Sequence, residues 1–366
     1  MAETPSDLKS TPLTPDHIAR GARMASFAGW NMPIQYEGII AEALHTRSRA
    51  SCFDICHMGE FLLKGDVNTC GLERIVTAPL KDAPTGSCRY GSILNEKGGV
   101  MDDLIVYRKA KDEWMIVVNA ATIEKDKKHF QAHLAGPVEF LDLSDQIGKI
   151  DLQGPLSREA VVRLAPKAAA LEYYTFIETE VLGKKTIVSR TGYTGELGFE
   201  LYFPARDIPA LWQALLRDTR VKPAGLGARD VLRLEMGYSL YGQDIDDDTT
   251  PLEAGLEKFV DFKKDFIGKS ALASQKARGL KRRRVFFRSL SRRSPRHLHR
   301  IFVDGRDAGI VTSGTFSPHT NGGIGMGFLE NISAPKGLPL TVGDDKIRIE
   351  SVVADKPFVE RTSLKN

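Results

Sequence analysis

A predicted hairpin in the first third of the chain carries polar groups on a face that stability alone would make apolar. Residues 103–107 and 115–119 are strand-like runs that flank the polar turn RKAKDE. A tight loop pairs Asp103 with Asn119, and the period-two alternation of a strand puts Tyr107 on the same face. A carboxylate fixed there can accept a proton or stabilise a positive charge. An aspartate at the start of a strand is also an ordinary turn residue, so the residues alone leave both interpretations open.

Five stretches combine glycine with aromatic and charged residues, which is typical of loops that bring the backbone close to a ligand. None of them matches a Walker loop, a dinucleotide fingerprint, a zincin motif or a serine-hydrolase elbow. The composition of these loops therefore predicts a binding site without naming its ligand. The stretches are FAGWNMPIQY (27–36), FDICHMGEF (53–61), NEKGGVMDDLIVY (95–107), SRTGYTGELGFELY (189–202) and PAGLGARDVLRLEMGYSLYGQDID (223–246).

The four cysteines predict neither a metal site nor a disulfide framework. Cys52, Cys56, Cys70 and Cys88 form no CxxC pair, and no second cluster completes a zinc site. The first 15 residues lack the apolar core of a secretory signal, and the apolar runs are too short to span a bilayer. With 42% apolar and 27% charged residues, we expect a soluble cytoplasmic protein with free thiols and no membrane association.

The positive charge is concentrated in one short stretch. Residues 276–300 hold 11 of the 51 basic residues and none of the 47 acidic ones, so the rest of the chain has 40 basic against 47 acidic residues, a net charge of −7. Such a stretch ordinarily suggests nucleic acid. Here apolar residues alternate with the basic ones, which predicts a helix end followed by a strand. A merely solvated basic face and one that attracts anions both remain possible interpretations.

Helix and strand signals place these groups in an α+β fold. A length of 366 residues suggests two to three domains at about 150 residues each. Short turns rich in Gly, Asp and Lys favour antiparallel sheets, and the chain from about residue 282 is almost all strand and turn. Helices are predicted over 14–24, 122–133, 157–164, 208–216 and 269–277. Strands are predicted over 61–64, 103–107, 115–118, 186–190, 199–203, 301–303, 309–312 and 347–353.

Taken in order along nearly the whole chain, these stretches resemble the T-protein family of the glycine cleavage system. The resemblance includes TPLTPDHIARGARMASFAGWNMP (11–33), NAATIEKD (119–126), LYGQDIDDDTTPLEAGL (240–256), KDFIGK (264–269), VTSGTFSP (311–318) and VVADKPFVERTS (352–363). It implies three domains in a clover-leaf around a central folate channel, with antiparallel sheets and flanking helices. The implied domains are 1–52 with 140–270, 53–139, and a C-terminal β-barrel or jelly-roll-like domain over 280–366.

The resemblance also implies an activity. The family's enzymes transfer an aminomethyl carbon from the lipoyl arm of H-protein to tetrahydrofolate, releasing ammonia. No metal and no nucleic acid takes part. The expected partners of the basic stretch are then anionic: the polyglutamate tail of folate and an acidic H-protein, both attracted by electrostatics.

Individual residues take roles from the resemblance. Asp103, the second acid of GGVMDD, matches the family's catalytic acid. Asn119, Glu200 and Arg229 match pterin-binding positions, and a carboxylate such as Glu200 can accept the two parallel donors of a pterin edge. Arg296 matches an arginine near the entrance for the folate tail. Positions near the folate that suit stacking or apolar contact correspond to Met58, Tyr90, Tyr107 and Tyr193.

His57 and Cys56 are further candidates for a role in the site, and three other functions are alternatives to the transfer. His57 could be a base, but the family uses its stretch as a channel wall, and Cys56 replaces the family's usual serine. Iron–sulfur assembly factors of the same superfamily carry a late KGCYxGQ motif, whereas this chain has no cysteine after Cys88. Folate-linked oxidases add a flavin domain, for which no dinucleotide fingerprint is present. A nucleic-acid-binding protein would rest on the basic stretch alone.

Overall fold

The computed structural model describes residues 8–331 and 333–365, which form eight α-helices and twenty strands. The helices are α1 (Thr14–Ala19), α2 (Ile39–Ser48), α3 (Leu72–Ile75), α4 (Ile123–His133), α5 (Ser157–Val161), α6 (Ile208–Leu216), α7 (Leu226–Glu235) and α8 (Lys269–Arg278). The strands of the first two thirds are β1 (Lys9–Ser10), β2 (Arg23–Phe27), β3 (Trp30–Gln35), β4 (Ala50–Asp54), β5 (Gly59–Lys64), β6 (Cys88–Leu94), β7 (Val100–Ala110), β8 (Glu113–Val118), β9 (Glu139–Asp142), β10 (Ile147–Gln153), β11 (Phe176–Val181), β12 (Lys184–Ser189), β13 (Gly198–Pro204) and β14 (Val221–Pro223). The remaining strands are β15 (Arg282–Ser289), β16 (Arg300–Val303), β17 (Arg306–Ser317), β18 (Gly322–Glu330), β19 (Pro339–Gly343) and β20 (Arg348–Ala354).

A six-stranded sheet in the order β11-β12-β13-β10-β4-β14 has one apolar and one polar face. Ile150, Leu152 and Leu201 alternate into a core with Trp212 of α6, as the apolar stripe of that helix predicts. The intervening residues of β10 and β13 point the other way. In that ladder Lys149 lies opposite Tyr202, and Asp151 lies opposite Glu200. The sheet therefore presents two carboxylates and an amine on a buried face.

A five-stranded sheet in the order β6-β7-β8-β5-β9 contains the predicted hairpin, and its register is confirmed. Ile105 pairs with Val117 and Tyr107 with Met115. The even-numbered residues of β7 pack into a core against α3 and α4. The odd-numbered residues, Asp103 among them, therefore face away from that core.

The C-terminal strands close into a barrel in the order β15-β18-β17-β16-β19-β20, with β20 pairing back onto β15. The predicted α+β class with an all-β C-terminal domain is thereby confirmed. The basic stretch is also confirmed as the end of α8 followed by the strand β15. Alternation along β15 buries Val285 and Phe287 in the barrel, while Arg283 and Arg288 are exposed.

The N-terminal segment differs from its prediction. The first helix ends at Ala19, not near Met24, because Gly21 takes a left-handed φ of 72° and β2 follows. Strand β2 belongs to a small sheet in the order β1-β3-β2.

The three-domain division remains a proposal. Its predicted boundaries at 52/53 and 139/140 fall inside β4 and β9.

Helix α7 connects the six-stranded sheet to the barrel through buried polar contacts. Arg233 donates to Asp244 at 2.6 Å and to Ser313 of β17 at 2.8 Å. Glu235 accepts from Ser317 of β17 at 2.7 Å and forms an ion pair of 2.8 Å with Arg47 of α2. These contacts fix the barrel against α7 and so define the space between them.

Within the described ranges, no helix combines the length and apolar character needed to cross a membrane.

Candidate active site

The two large sheets, α7 and the segment after the barrel enclose a cavity of about 1270 Å³. Asp103 and Asn119 line it from the hairpin β7–β8, Glu200 lines it from β13, and Arg229 lines it from α7. Lys356 reaches it from beyond β20. The polar faces of both sheets thus meet in one space of the size that a drug-sized or larger ligand occupies.

Asp103 is held in the cavity wall by hydrogen bonds to both of its oxygens. Tyr90 donates its hydroxyl to Oδ2 at 2.9 Å, and Asn119 donates its side-chain amide to Oδ1 at 2.9 Å. Burial, reinforced by the charge of Asp102, raises the pKa of Asp103 to about 7. A carboxyl group with such a pKa exchanges a proton readily near neutral pH, which a general base or acid requires.

A pair of buried carboxyl groups, those of Asp102 and Asp126, lies behind Asp103. Asp102 is completely buried and accepts from the main chain and side chain of Asn119 at 3.0 and 2.9 Å and from Thr122 at 2.8 Å. Asp126 of α4 is also completely buried, and burial together with the charge of Asp102 raises its pKa to about 10. Asn119 therefore connects the buried carboxyl pair to the carboxyl group in the cavity wall.

Glu200 lies in the wall formed by the six-stranded sheet and collects hydroxyl donors on one oxygen. Thr191 donates to Oε2 at 2.6 Å, and Tyr107 and Tyr202 donate to the same atom at 3.3 Å each. The side chain is almost fully buried yet lines the cavity. It is therefore a fixed acceptor for a ligand that presents N–H groups.

Arg229 is directed by two other side chains of the site. Its guanidinium donates to Asp151, the residue beside Glu200 in the sheet ladder, and lies 4.9 Å from the ring centroid of Tyr193. Tyr193 in turn donates to the main-chain carbonyl of Ser239. The resemblance predicts Arg229 at a pterin-binding position. The structure shows an ion pair between its guanidinium and the carboxylate of Asp151.

The predicted site residues divide into those that line the cavity and those that do not. Tyr107 is completely buried behind the wall, where its hydroxyl bonds to Glu200 and, at 2.8 Å, to Tyr202. Arg296 is exposed in the loop between β15 and β16 and does not line the cavity. The predicted residues that line it are Met58, Tyr90, Asp103, Asn119, Tyr193, Glu200 and Arg229.

Several residues of the wall were not predicted from the sequence. Lys149 lines the cavity, and Asp151 orients Arg229. Strand β10 has the sequence IGKIDLQ, and its alternation puts Lys149, Asp151 and Gln153 on one face. This polar face could have been predicted from the sequence. Further basic residues that line the cavity include Arg89, Lys258 and Lys356.

Burial keeps the side chains of His57 and Cys56 uncharged near neutral pH. His57 lines the cavity, but burial lowers its pKa to about 4, so its imidazole is neutral near pH 7. Burial raises the pKa of the Cys56 thiol well above its usual range. The thiol instead bonds to the main chain of Lys149, accepting from its N–H at 3.2 Å and donating to its carbonyl at 3.4 Å. Cys56 thus fixes the backbone of β10 at Lys149.

Comparison with known proteins identifies the family. The model described as the GCVT N-terminal domain matches residues 13–264, and that of the glycine cleavage T-protein C-terminal barrel domain matches residues 282–360. The chain belongs to the glycine cleavage T-protein family. A relative from Phocaeicola vulgatus, named aminomethyltransferase, is 42% identical over 96% of this chain and 99% of its own length. Another aminomethyltransferase, from Thermotoga petrophila, is 40% identical over 96% of this chain and 98% of its own.

A solved structure agrees with the fold. The crystal structure of the glycine cleavage system aminomethyltransferase T from Bartonella henselae superposes with a TM-score of 0.92 at 33% identity, covering 97% of this chain and 99% of that one. The T-protein N-terminal match includes Asp103, Glu200 and Arg229, and the barrel match includes Lys356. Among the described residues, no three His, Cys, Asp or Glu side chains are arranged to hold a metal ion.

Proposed function

We propose that this chain is the aminomethyltransferase of the glycine cleavage system, which passes a methylene carbon from S-aminomethyldihydrolipoyl H-protein to tetrahydrofolate. The observation that carries the proposal is Asp103, held by Tyr90 and Asn119 in a cavity whose other wall presents Glu200. A proton-handling carboxyl group and a fixed acceptor for a heterocycle thus line the same cavity.

The proposed reaction balances with protons that the substrates themselves supply. The C–S bond and the C–N bond to ammonia break, while the carbon bonds to N5 and N10 of the folate. N5 and N10 each lose a proton, one of which goes to the sulfur and one to the departing amine. The products are 5,10-methylenetetrahydrofolate, ammonium and dihydrolipoyl H-protein. Asp103, ionised, accepts a proton in transit and stabilises the cationic amine and the developing positive charge on the carbon.

We propose that the pterin ring of tetrahydrofolate binds between the two sheets. Glu200 accepts from its ring N–H and exocyclic amine, which lie side by side as two parallel donors. Asn119 commits its amide nitrogen to Asp102 and Asp103, so it offers the ligand its side-chain oxygen. Tyr90, Tyr193 and Met58 supply apolar and aromatic wall, whereas Tyr107 acts from behind by orienting Glu200.

The glutamate tail of the folate requires cations near the cavity. Arg89, Lys258 and Lys356 line it, and we propose that these three bind the tail carboxylates. Arg296, predicted for this role, is exposed on the barrel surface. It stays a candidate for tail glutamates that extend beyond the cavity.

We propose that lipoylated H-protein approaches the basic stretch. The structure reduces its free charge, because Lys276, Arg282 and Arg300 form ion pairs with Glu257, Glu253 and Asp307. The exposed remainder still includes Lys281, Arg283, Arg288, Arg293 and Arg296. An acidic carrier protein would be attracted to this remainder by long-range electrostatics.

The decisive assay is formation of 5,10-methylenetetrahydrofolate from aminomethylated H-protein and tetrahydrofolate. We expect turnover that requires both substrates and that releases one ammonia per methylene group. Binding of tetrahydrofolate without any turnover would instead support a folate-binding protein that lacks this transfer. Absence of folate binding would contradict the proposal as a whole.

A further inference from the structure

A buried ion pair beside the cavity lacks the hydrogen bonds that such groups normally make. Lys149 of β10 and Glu60 of β5 have side chains that are 1% exposed each, and Nζ lies 3.7 Å from Oε1, beyond hydrogen-bonding distance. In the described part of the chain, Nζ of Lys149 and both carboxylate oxygens of Glu60 have no hydrogen-bond partner. Burying charged groups without hydrogen bonds is costly, so such a pair calls for a reason.

The position of Lys149 suggests that reason. Lys149 lines the cavity, while Glu60 lies behind it. Lys149 is opposite Tyr202 in the ladder of β10 and β13, and its Nζ lies 5.2 Å from the centroid of that ring. The Tyr202 hydroxyl in turn donates to Glu200 at 3.3 Å. The uncommitted donors of Lys149 are therefore one side chain away from the carboxylate that we propose binds the pterin.

Arg229, another cation in the cavity wall, already has partners within the protein. Arg229 donates to Asp151 and lies over the ring of Tyr193. The backbone at Lys149 is fixed by the thiol of Cys56, at 3.2 and 3.4 Å. The ammonium thus extends from a rigid strand, and the carboxyl group of Glu60, whose pKa burial raises to about 8, lies 3.7 Å from it.

We propose that Lys149, supported by Glu60, is a specificity-determining residue that donates a hydrogen bond to the 4-oxo group of the pteridine ring. This inference rests on the proposed function, since it assumes that Glu200 binds the ring N–H. On a 4-oxo pteridine, the carbonyl oxygen adjoins that N–H. A donor beside Glu200 can therefore bind this oxygen. The acceptor Glu200 and the donor Lys149 would then together recognise the edge of the ring. A 4-amino pteridine presents donor hydrogens at the same place and leaves the ammonium unpaired.

The test compares two ligands that differ at position 4 and, as a consequence, at N3, which carries a hydrogen only in the 4-oxo compound. Tetrahydrofolate and 4-amino-4-deoxytetrahydrofolate are titrated anaerobically against the full chain by calorimetry. We expect the wild-type protein to prefer the 4-oxo compound by about tenfold or more, the usual effect of a hydrogen bond to a charged group. In the double variant Lys149→Met with Glu60→Gln, which leaves no lone buried charge, the preference should fall by about fivefold or more relative to the wild-type protein, and the remainder is discrimination at N3 by Glu200.

Lys258→Met is the matched control, because Lys258 lines the cavity but is not proposed to contact the edge of the pteridine ring. It should weaken both ligands alike and keep the preference. A wild-type preference below about twofold would overturn the inference whether or not the double variant folds. So would a folded double variant that keeps the wild-type preference. If neither ligand binds the wild-type protein, the proposed function itself fails.

Discussion

One amide nitrogen joins Asn119 to Asp103 twice, donating to the carboxylate Oδ1 at 2.9 Å and to the main-chain oxygen at 3.0 Å. The same nitrogen donates to Asp102 at 2.9 Å. The side chain of Asn119 therefore fixes the orientation of the Asp103 carboxyl group and connects it to the buried pair behind it. Because the ligand's reacting atoms must meet a carboxylate in one geometry, this fixed position matters as much as its charge.

Replacing Asp103 by Asn should abolish most turnover while leaving the binding site intact. Asn keeps the shape and can still bond to Tyr90, but it cannot accept a proton from the folate nitrogens. We expect methylene transfer to fall by about 10²-fold or more. Tetrahydrofolate binding, measured by calorimetry, should change little, because Glu200 and Arg229 are untouched. Unchanged turnover in this variant would remove Asp103 from the mechanism.

The pH dependence of the wild-type enzyme should report Asp103. Burial raises its pKa to about 7, so the carboxyl group is mostly protonated at pH 6 and mostly ionised at pH 8. Because the proposed role needs the ionised form, the rate of methylene transfer at low tetrahydrofolate concentration should rise with pH through about 7. A rate that falls over the same interval would indicate that Asp103 acts as an acid instead.

The hairpin shows what the sequence could predict. Its register follows from period-two alternation and a short turn, two local properties, and these suffice to predict that Asp103 and Asn119 meet. Helix α6 was equally predictable from its single apolar stripe. The roles of Tyr107 and Arg296 had a weaker basis, because a family match locates a residue in the chain but not its depth in the wall.

What the sequence did not predict depends on contacts between distant segments. Helix α7 begins in a glycine-rich stretch that suggested a loop. Gly225 and Gly227 are there because a side chain at either would collide with the backbone of Ile34 or with Ile39. The pairing of Arg229 with Asp151 needs β10 and α7 to meet across 78 residues. No local pattern encodes such a contact.

Replacing Glu200 by Gln should weaken folate binding and so separate binding from chemistry. A carboxylate accepts two parallel N–H groups, whereas a carboxamide turns one of its own donors toward them. We expect the dissociation constant for tetrahydrofolate to rise by about tenfold or more. At saturating folate, turnover should recover much further than in the Asp103→Asn variant. Equal affinity in Glu200→Gln and the wild-type protein would exclude Glu200 as the pterin acceptor.

Asp126 predicts how stability depends on pH. Its pKa in the folded protein is about 10, whereas an exposed aspartate in the unfolded chain titrates near 3.9. The unfolded state therefore releases its proton first, and the free energy of unfolding falls as pH rises above about 4 toward 10. In Asp126→Asn this loss is absent, so the difference in unfolding free energy between pH 6 and pH 9 should shrink by about 1 kcal/mol or more.

Urea unfolding at the two pH values measures this effect. Asp145→Asn is the matched control, because Asp145 is exposed. It should keep the pH dependence of the wild-type protein. A variant at Asp126 with the full wild-type dependence would mean that the buried carboxyl group does not stay protonated in the folded protein.

The basic stretch should govern how fast the two proteins meet. Exposed arginines attract an acidic partner over about 10 Å at 0.1 M salt, and this attraction is screened as salt rises. Reversing Arg288 and Arg293 to Glu should raise the KM for H-protein by about tenfold at low salt and by much less at 0.5 M, with little change in kcat. Lys167→Glu is the control. It reverses the charge of an exposed residue in a segment that contacts β11 of the six-stranded sheet, and it should leave the KM for H-protein unchanged. If KM for H-protein in the wild-type enzyme does not depend on salt, the stretch is a solvated face. If the KM for folate changes instead, the stretch attracts the polyglutamate tail and not the carrier protein.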